Sequence, residues 1–366
     1  MIICIEVSQR IKDQLDKLLE AGAYRDYSEA VAVAIANQVL LHKESSQHLG
    51  TNPTPEVYTQ RPAVIEAKKG TNHDEPPSVP SLFSQLGPVS GSAKFAPYSD
   101  DNVAGGEVSV DRWIFGQHNK LLPVKATCRA LARLMIAEPK GNLVFSKTAS
   151  EIASEAVKLG DYLRHLDQTS GVHRDDALSF AFPYSDSPNG DKSRLRYANQ
   201  FVASVTKQGM LNGLPFELKL LNQDNSRPAQ VLLTEAGWLF AGMPNPILDE
   251  INNGGKSKFF DEEIEFLLAH IRSRVPAEAF AYKMVLEAIA QGAKTPDKLD
   301  DVLEEYVPKR EEKPFTRAFL TTQRAGVISR MIDLGLVQRI RDGINVTYAA
   351  TAQTFEVSPN PLRQVV

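Results

Sequence analysis

The chain has 366 residues, 42% of them hydrophobic and 23% charged, with a formal net charge of −4 at pH 7. That length allows two or three domains, each with its own core, and the balance excludes a surface coated in basic side chains, so any nucleic-acid contact must be local. The only two cysteines, Cys4 and Cys128, are too far apart to suggest a disulfide framework or a zinc site, and no apolar run approaches membrane-spanning length; the expectation is a soluble, cytoplasmic protein without a cofactor and without a membrane partner.

Ile3, Ile5 and Val7 alternate with Cys4 and Glu6, the period-two pattern of a short strand. Ser8 caps a helix expected from Gln9 to about Ala21, with Ile11, Leu15, Leu18 and Leu19 on its apolar side. After the turn Tyr24-Arg25-Asp26-Tyr27, Ser28 is placed as a second N-cap, and Ala30, Val31, Ala34, Ile35 and Leu41 supply a second apolar helix. One strand and two helices bury too little alone, so residues 1–42 should pair with a second copy through Ile3, Ile5, Val7 and Ile35. The Ile-x-Ile-x-Val strand, the Ser8 cap and Tyr27-Ser28-Glu29-Ala30 together resemble the ribbon-helix-helix repressors. That resemblance implies a homodimer whose paired ribbon enters the DNA major groove, with Glu6 on the outward face and Ser28 at a phosphate-binding helix start. The outward positions Ile2, Cys4 and Glu6 depart from that family's basic and amide side chains, which leaves open whether the ribbon reads double-stranded DNA or only dimerises.

Residues 43–111 are rich in Pro, Ser, Gly and Asn and read as a flexible linker. Val64-Ile65 and the stretch Val79 to Leu86 are apolar spots able to dock onto a partner or onto the rest of the chain. Order returns at Trp113-Ile114-Phe115-Gly116, and Pro123 opens a helix to about Ala137. Lys125, Arg129 and Arg133 fall four apart on it, either a track for a phosphate backbone or an ordinary solvated face. A short strand over Asn142 to Phe145, a helix from Thr148 to Leu166, a helix from Arg194 to Met210, and strands Phe216 to Leu221 and Ala229 to Leu233 give residues 112–252 a winged-helix order. Thr234-Glu235-Ala236-Gly237 resembles the helix start that follows the wing in many bacterial regulators. Lys192, Arg194, Arg196 and Lys207 on the helix, with Arg227 in the wing, are its phosphate candidates.

Residues 256–352 form a second and clearer winged-helix order: helices over 262–274, 277–290 and 296–306, a fourth capped by Thr321 or Thr322, then strands over 337–341 and 344–349 joined by Asp342-Gly343. Between Tyr306 and Asn345 eight basic residues face four acidic ones, so this segment is positive while the chain is negative. Thr322, Gln323 and Arg324 are expected in the first turn of a recognition helix, Arg330 on a later turn, and Arg339 and Arg341 beside the wing, with Arg317 a further phosphate candidate. Residues 353–366 are a tail.

The seven histidines are scattered and no nucleotide, zinc-protease or Cys-x-x-Cys motif is present. Asp175-Asp176, and Asp261 with Glu262 and Glu265, are read as solvated surface rather than as a metal site, and the polar Gly116-Gln117-His118-Asn119 has no nucleophile or second carboxylate tied to it that would make a catalytic site. The expected fold is mainly α with short β-hairpins (α+β). The expected function is a non-enzymatic, homodimeric DNA-binding protein, either a transcriptional regulator or an adaptor in a larger protein complex for plasmid maintenance, transposition or phage defence.

Overall fold

The computed structural model describes residues 77–87, 110–138, 143–171, 173–206, 209–224, 230–251, 257–306, 315–353 and 355, with Lys12, Asp13, Asp16 and Tyr27 of the N-terminal unit. The chain divides into two compact units, Met1–Pro76 and Pro77–Val366. In the first, Lys12, Asp13 and Asp16 are helical, as the Gln9 to Ala21 pattern predicts, and the Tyr27 hydroxyl bonds the Asp16 carboxylate. Tyr27 is itself helical, in place of the turn expected ahead of Ser28. The strand residues Ile3, Ile5, Glu6 and Val7, the Ser28 cap and Ile35 lie outside the described residues.

The second unit is mainly helical, with three two-stranded antiparallel sheets among the described residues. Helix α1, Leu122–Ala137, has Pro123 in its first turn, where a missing N–H costs nothing, and is buried on nearly every side. It is therefore the central helix of the unit. Helix α2, Phe145–Ser170, buries Ile152, Ala156, Leu159 and Leu163 at helical spacing and ends on Gly171, whose φ of 60° is the left-handed C-terminal stop. It starts earlier than expected, at Phe145; ahead of it Val144 forms an isolated bridge to Gln230, and the Leu143 carbonyl accepts from Val231 N at 3.3 Å, while Asn142 lies outside the described residues.

The next segment departs furthest from expectation. Instead of one helix from Arg194 to Met210, helix α3 covers Gly190–Tyr197, a π-turn covers Ala198–Val202, and Ser204–Val205 (β1) pairs with Leu211–Asn212 (β2) around Gly209, at a φ of 79°. Pro215 then opens the short helix α4, Leu214–Glu217, which displaces the expected strand start at Phe216. Leu221–Asp224 (β3) pairs with Gln230–Leu233 (β4), and helix α5, Glu235–Gly242, follows. Thr234 caps it by accepting from the Gly237 amide at 3.1 Å while its hydroxyl donates to the Lys219 carbonyl at 2.9 Å. A Cβ at Gly237 would overlap the Leu220 carbonyl oxygen, so this glycine permits the helix to pack on the chain leading into β3.

The last elements follow the predicted order: α6 Asp261–Arg274, α7 Pro276–Ala290, α8 Pro296–Glu304, α9 Arg317–Asp333, and the hairpin of β5 Val337–Asp342 with β6 Asn345–Ala350. Two boundaries move. The cap of α9 is Thr316, accepting from the Phe319 amide at 3.2 Å, so Thr322, Gln323 and Arg324 fall in the body of the helix and not in its first turn. The hairpin pairs Asp342 with Asn345, which makes Gly343 and Ile344 the two turn residues; Gly343 at a φ of 58° takes the first central position, where glycine is required.

The two winged-helix domains expected over 112–252 and 256–352 are one body. A single hydrophobic cluster runs from Phe83 to Phe355, and polar contacts cross the supposed boundary: Leu121 N donates to Asp333 at 3.0 Å, and His270 Nε2 meets the Leu218 carbonyl at 2.8 Å. Gly116 lies directly on α9, where a Cβ would overlap the Thr322 carbonyl, and Gly326 faces Gly116 in the same way. The linker expectation is also corrected for residues 77–87, which pack on α1 with Phe83 fully buried.

Candidate nucleic-acid interface

The three cations spaced four apart on α1 are the first candidates for a phosphate track, and the fold turns them inward. Lys125 and Arg129 are fully buried. The Lys125 ammonium bonds the Glu263 carboxylate at 2.8 Å, the Met243 carbonyl at 2.8 Å and the Phe240 carbonyl, with the Phe240 ring 4.5 Å away. Arg129 forms a two-pronged pair with Asp249, its Nη2 also donates to the Met243 carbonyl at 2.8 Å, and its Nε donates to Ala241 at 3.3 Å. Both cations thus serve the carbonyls at the C-terminal end of α5, the end a helix dipole makes negative. Burial pushes Lys125 down to about 8 against the pull of Glu263, and pushes Glu263 up against the pull of Lys125. Charges held at that cost are structural ties, not a docking face. Arg133 is half-buried and bonds Ser84 and the Gln85 carbonyl of the docked segment.

The cations of α9 meet the same fate, because the inward stripe of this helix contains charges as well as aliphatics. Arg330 is fully buried in a bidentate pair with Glu278, at 2.6 and 3.0 Å, and also donates to the His118 carbonyl. Burial opposes its charge, but Glu278 outweighs that and raises its pKa. Arg324 Nε bonds Asp300 at 2.6 Å, and Gln323 bonds the Gly116 amide and, at 3.1 Å, the Val110 carbonyl. Thr322 donates back to Ala318 at 2.9 Å. Arg317 is exposed at the helix start, yet it bonds Asp301 at 2.8 Å with Asp300 and Glu304 both at 3.8 Å; the bond to Asp301 and then these charges raise its pKa. The helix start expected to enter a major groove is therefore bordered by the carboxylates of α8. On the hairpin, Arg339 pairs with Asp176 at 3.2 Å, and the Arg341 side chain lies at the surface.

Arg194 and Arg196 are exposed on α3, with Arg194 paired to Asp191 at 2.9 Å one turn away. Arg227 and Lys207 lie outside the described residues, as do Glu6 and Ser28. Among the described residues, the expected site residues are not brought together on one surface: Lys125, Arg129 and Arg330 are buried, while Arg194, Arg196 and Arg341 are exposed. What the structure does hold inside is a set of ion pairs, Lys125 with Glu263, Arg129 with Asp249, Arg324 with Asp300 and Arg330 with Glu278, together with the half-buried Lys258 with Asp333 at 2.8 Å. The acidic halves were missed from sequence. Their signal is positional: Glu263 precedes Ile264 and falls four before Leu267, and Glu278 falls four before Tyr282 on the inward stripe of α7.

Other reactive groups are also occupied by the fold. The Cys128 thiol is buried and pushed up to about 12 by that burial, the condition of an inert cysteine. His118 Nδ1 lies 2.6 Å from Glu217, and its backbone carbonyl holds Arg330, so this pair joins α4 to α9. Among the described residues no group of three His, Cys, Asp or Glu side chains converges as a metal site, and no helix is long and apolar enough to cross a membrane. The chain matches no family model, no curated protein and no solved structure.

Proposed function

We propose that this chain is a homodimeric, DNA-associated adaptor, in which residues 1–42 pair two copies and carry the DNA contact while the second unit is a non-catalytic platform for a protein partner in a DNA-processing assembly. One observation supports the adaptor over the regulator: the cations that a recognition helix would offer to phosphates are bound to carboxylates of the same body, Arg324 to Asp300, Arg330 to Glu278 and Arg317 to Asp301. An acidic α8 beside the α9 start repels a phosphate backbone and suits a partner that is not DNA. A second reading, a transcriptional regulator whose hairpin touches DNA, draws on the exposed Arg341 of β5.

The two readings separate in the salt dependence of duplex binding by the full chain. Removing one phosphate-binding cation lowers the slope of log affinity against log salt by about one unit. The adaptor reading expects an R317A/R341A variant to keep the wild-type slope, and the regulator reading expects the slope to fall by about two units.

A further inference from the structure

Residues 77–87 contact the body as a peptide ligand does. They contribute no helix or strand of their own; their internal order is one turn, Phe83 N donating to the Pro80 carbonyl at 2.9 Å, and the Ser84 hydroxyl donating to the Ser81 carbonyl at 3.0 Å. Phe83 is the deep anchor, fully buried, with Val79, Leu82 and Leu86 partly buried around it. The backbone is read by two arginines of α1: Arg129 donates to the Phe83 carbonyl at 3.2 Å, and Arg133 to the carbonyls of Ser84 at 3.2 Å and Gln85 at 2.9 Å. At the other end Val79 N donates to Glu250 at 3.2 Å. A single aromatic anchor, flanking apolar contacts and main-chain hydrogen bonds are how short linear segments are recognised.

The consequences of release are uneven. Without the segment Arg129 keeps Asp249, Met243 and Ala241, so the interior ties of α1 survive. Arg133 gives up its bonds to Ser84 and Gln85, but it sits half-buried, where water can replace them. The main losses are the burial of Phe83 with the apolar contacts of Val79, Leu82 and Leu86 and the bond from Val79 N to Glu250. In the sequence, this apolar motif also stands alone between stretches rich in Pro, Ser, Gly and Asn.

We propose that the groove of α1 and the 243–251 loop is a peptide-recognition site, and that its ligand is the chain's own residues 77–87, docked in cis and exchangeable with the same segment supplied from outside. Tethering gives the cis segment an effective concentration on the order of millimolar, so a free copy enters only when the tethered one is weakened.

The experiment uses the full chain carrying Phe83→Ala and a fluorescein-labelled peptide of residues 77–87, read by fluorescence polarisation. Saturable binding to F83A, at least about tenfold tighter than to wild type, is expected, as is loss of binding when the peptide itself carries Phe83→Ala. A variant with Leu82→Ser and Leu86→Ser, which loosens the segment without emptying the Phe83 pocket, should bind the peptide more tightly than wild type does. Equal binding to wild type and F83A, no binding to a folded F83A chain, or loss of the cooperative melt in both variants would overturn the proposal, the last because the segment would then be an integral part of the core.

Discussion

Arg330→Ala tests whether the cations of α9 serve the fold or a nucleic acid. The side chain is fully buried, holds Glu278 with two hydrogen bonds and reaches the His118 carbonyl, so it ties α9 both to α7 and to the segment ahead of α1. Truncation leaves Glu278 as a buried carboxylate without its cation, a change that costs about 3–5 kcal/mol. Set against a total of roughly 5–15 kcal/mol for a folded domain, that is a large fraction of the stability, and it lowers the melting temperature by on the order of 10 °C. Urea and thermal melts followed by circular dichroism read both quantities. A double variant, R330M/E278M, removes both charges and should recover most of the loss, because an apolar pair has no ion to desolvate. If R330A melts like wild type while its affinity for duplex DNA drops, Arg330 is a phosphate contact and its inward placement is wrong.

Two other perturbations probe the same packing. Burial pushes Lys120 down to about 8 against the pull of Asp333. Between that value and 10.5 the unfolded chain binds the extra proton, so this group makes stability rise with pH across the window, by about 3 kcal/mol in all; K120M should lose that rise relative to wild type in melts from about pH 8 to 10, and an unchanged slope would mean that Lys120 is solvated. Gly326→Ala forces a methyl group into the Gly116 backbone and should cost more than about 3 kcal/mol, the upper end of ordinary overpacking, since the obstacle is main chain and cannot turn aside; a G326A chain that melts like wild type would show that the 113–118 segment does not rest on α9.

Hydrophobic period and end signals located much of the second unit. Pro123 opens α1, the Thr234 cap starts α5, and the four helices from Asp261 onwards and the final hairpin follow the expected order, with the start of α9 and the hairpin turn displaced by a few residues at most. Three features were not legible. The segment from Gly190 to Asn212 has enough apolar positions for one helix, but the π-turn at Ala198–Val202 and the Gly209 turn break it, and neither carries a local periodic signature. The division into two domains failed because no linker composition is needed for two halves to share a core, and the contacts that join them are distant in sequence, Leu121 with Asp333 lying more than two hundred residues apart. The inward placement of the α1 and α9 cations was not legible for a related reason. A charge four residues from another charge reads as a surface stripe only if that face is outside, and on α1 and α9 the carboxylates that turn it into an interior face come from α6, α7, α8 and the loop carrying Asp249.

We propose DNA contact for residues 1–42 and not for the body, in which Lys125, Arg129, Arg324 and Arg330 are paired with buried carboxylates. The most direct test compares the full chain with a chain of residues 43–366, which keeps the whole shared core, in an electrophoretic shift series on one random duplex from low to physiological salt. The full chain is expected to shift the duplex with a salt-dependent affinity, and the 43–366 chain is expected not to shift it even at the lowest salt. A salt-dependent shift by the 43–366 chain, or no shift by the full chain, would contradict that assignment.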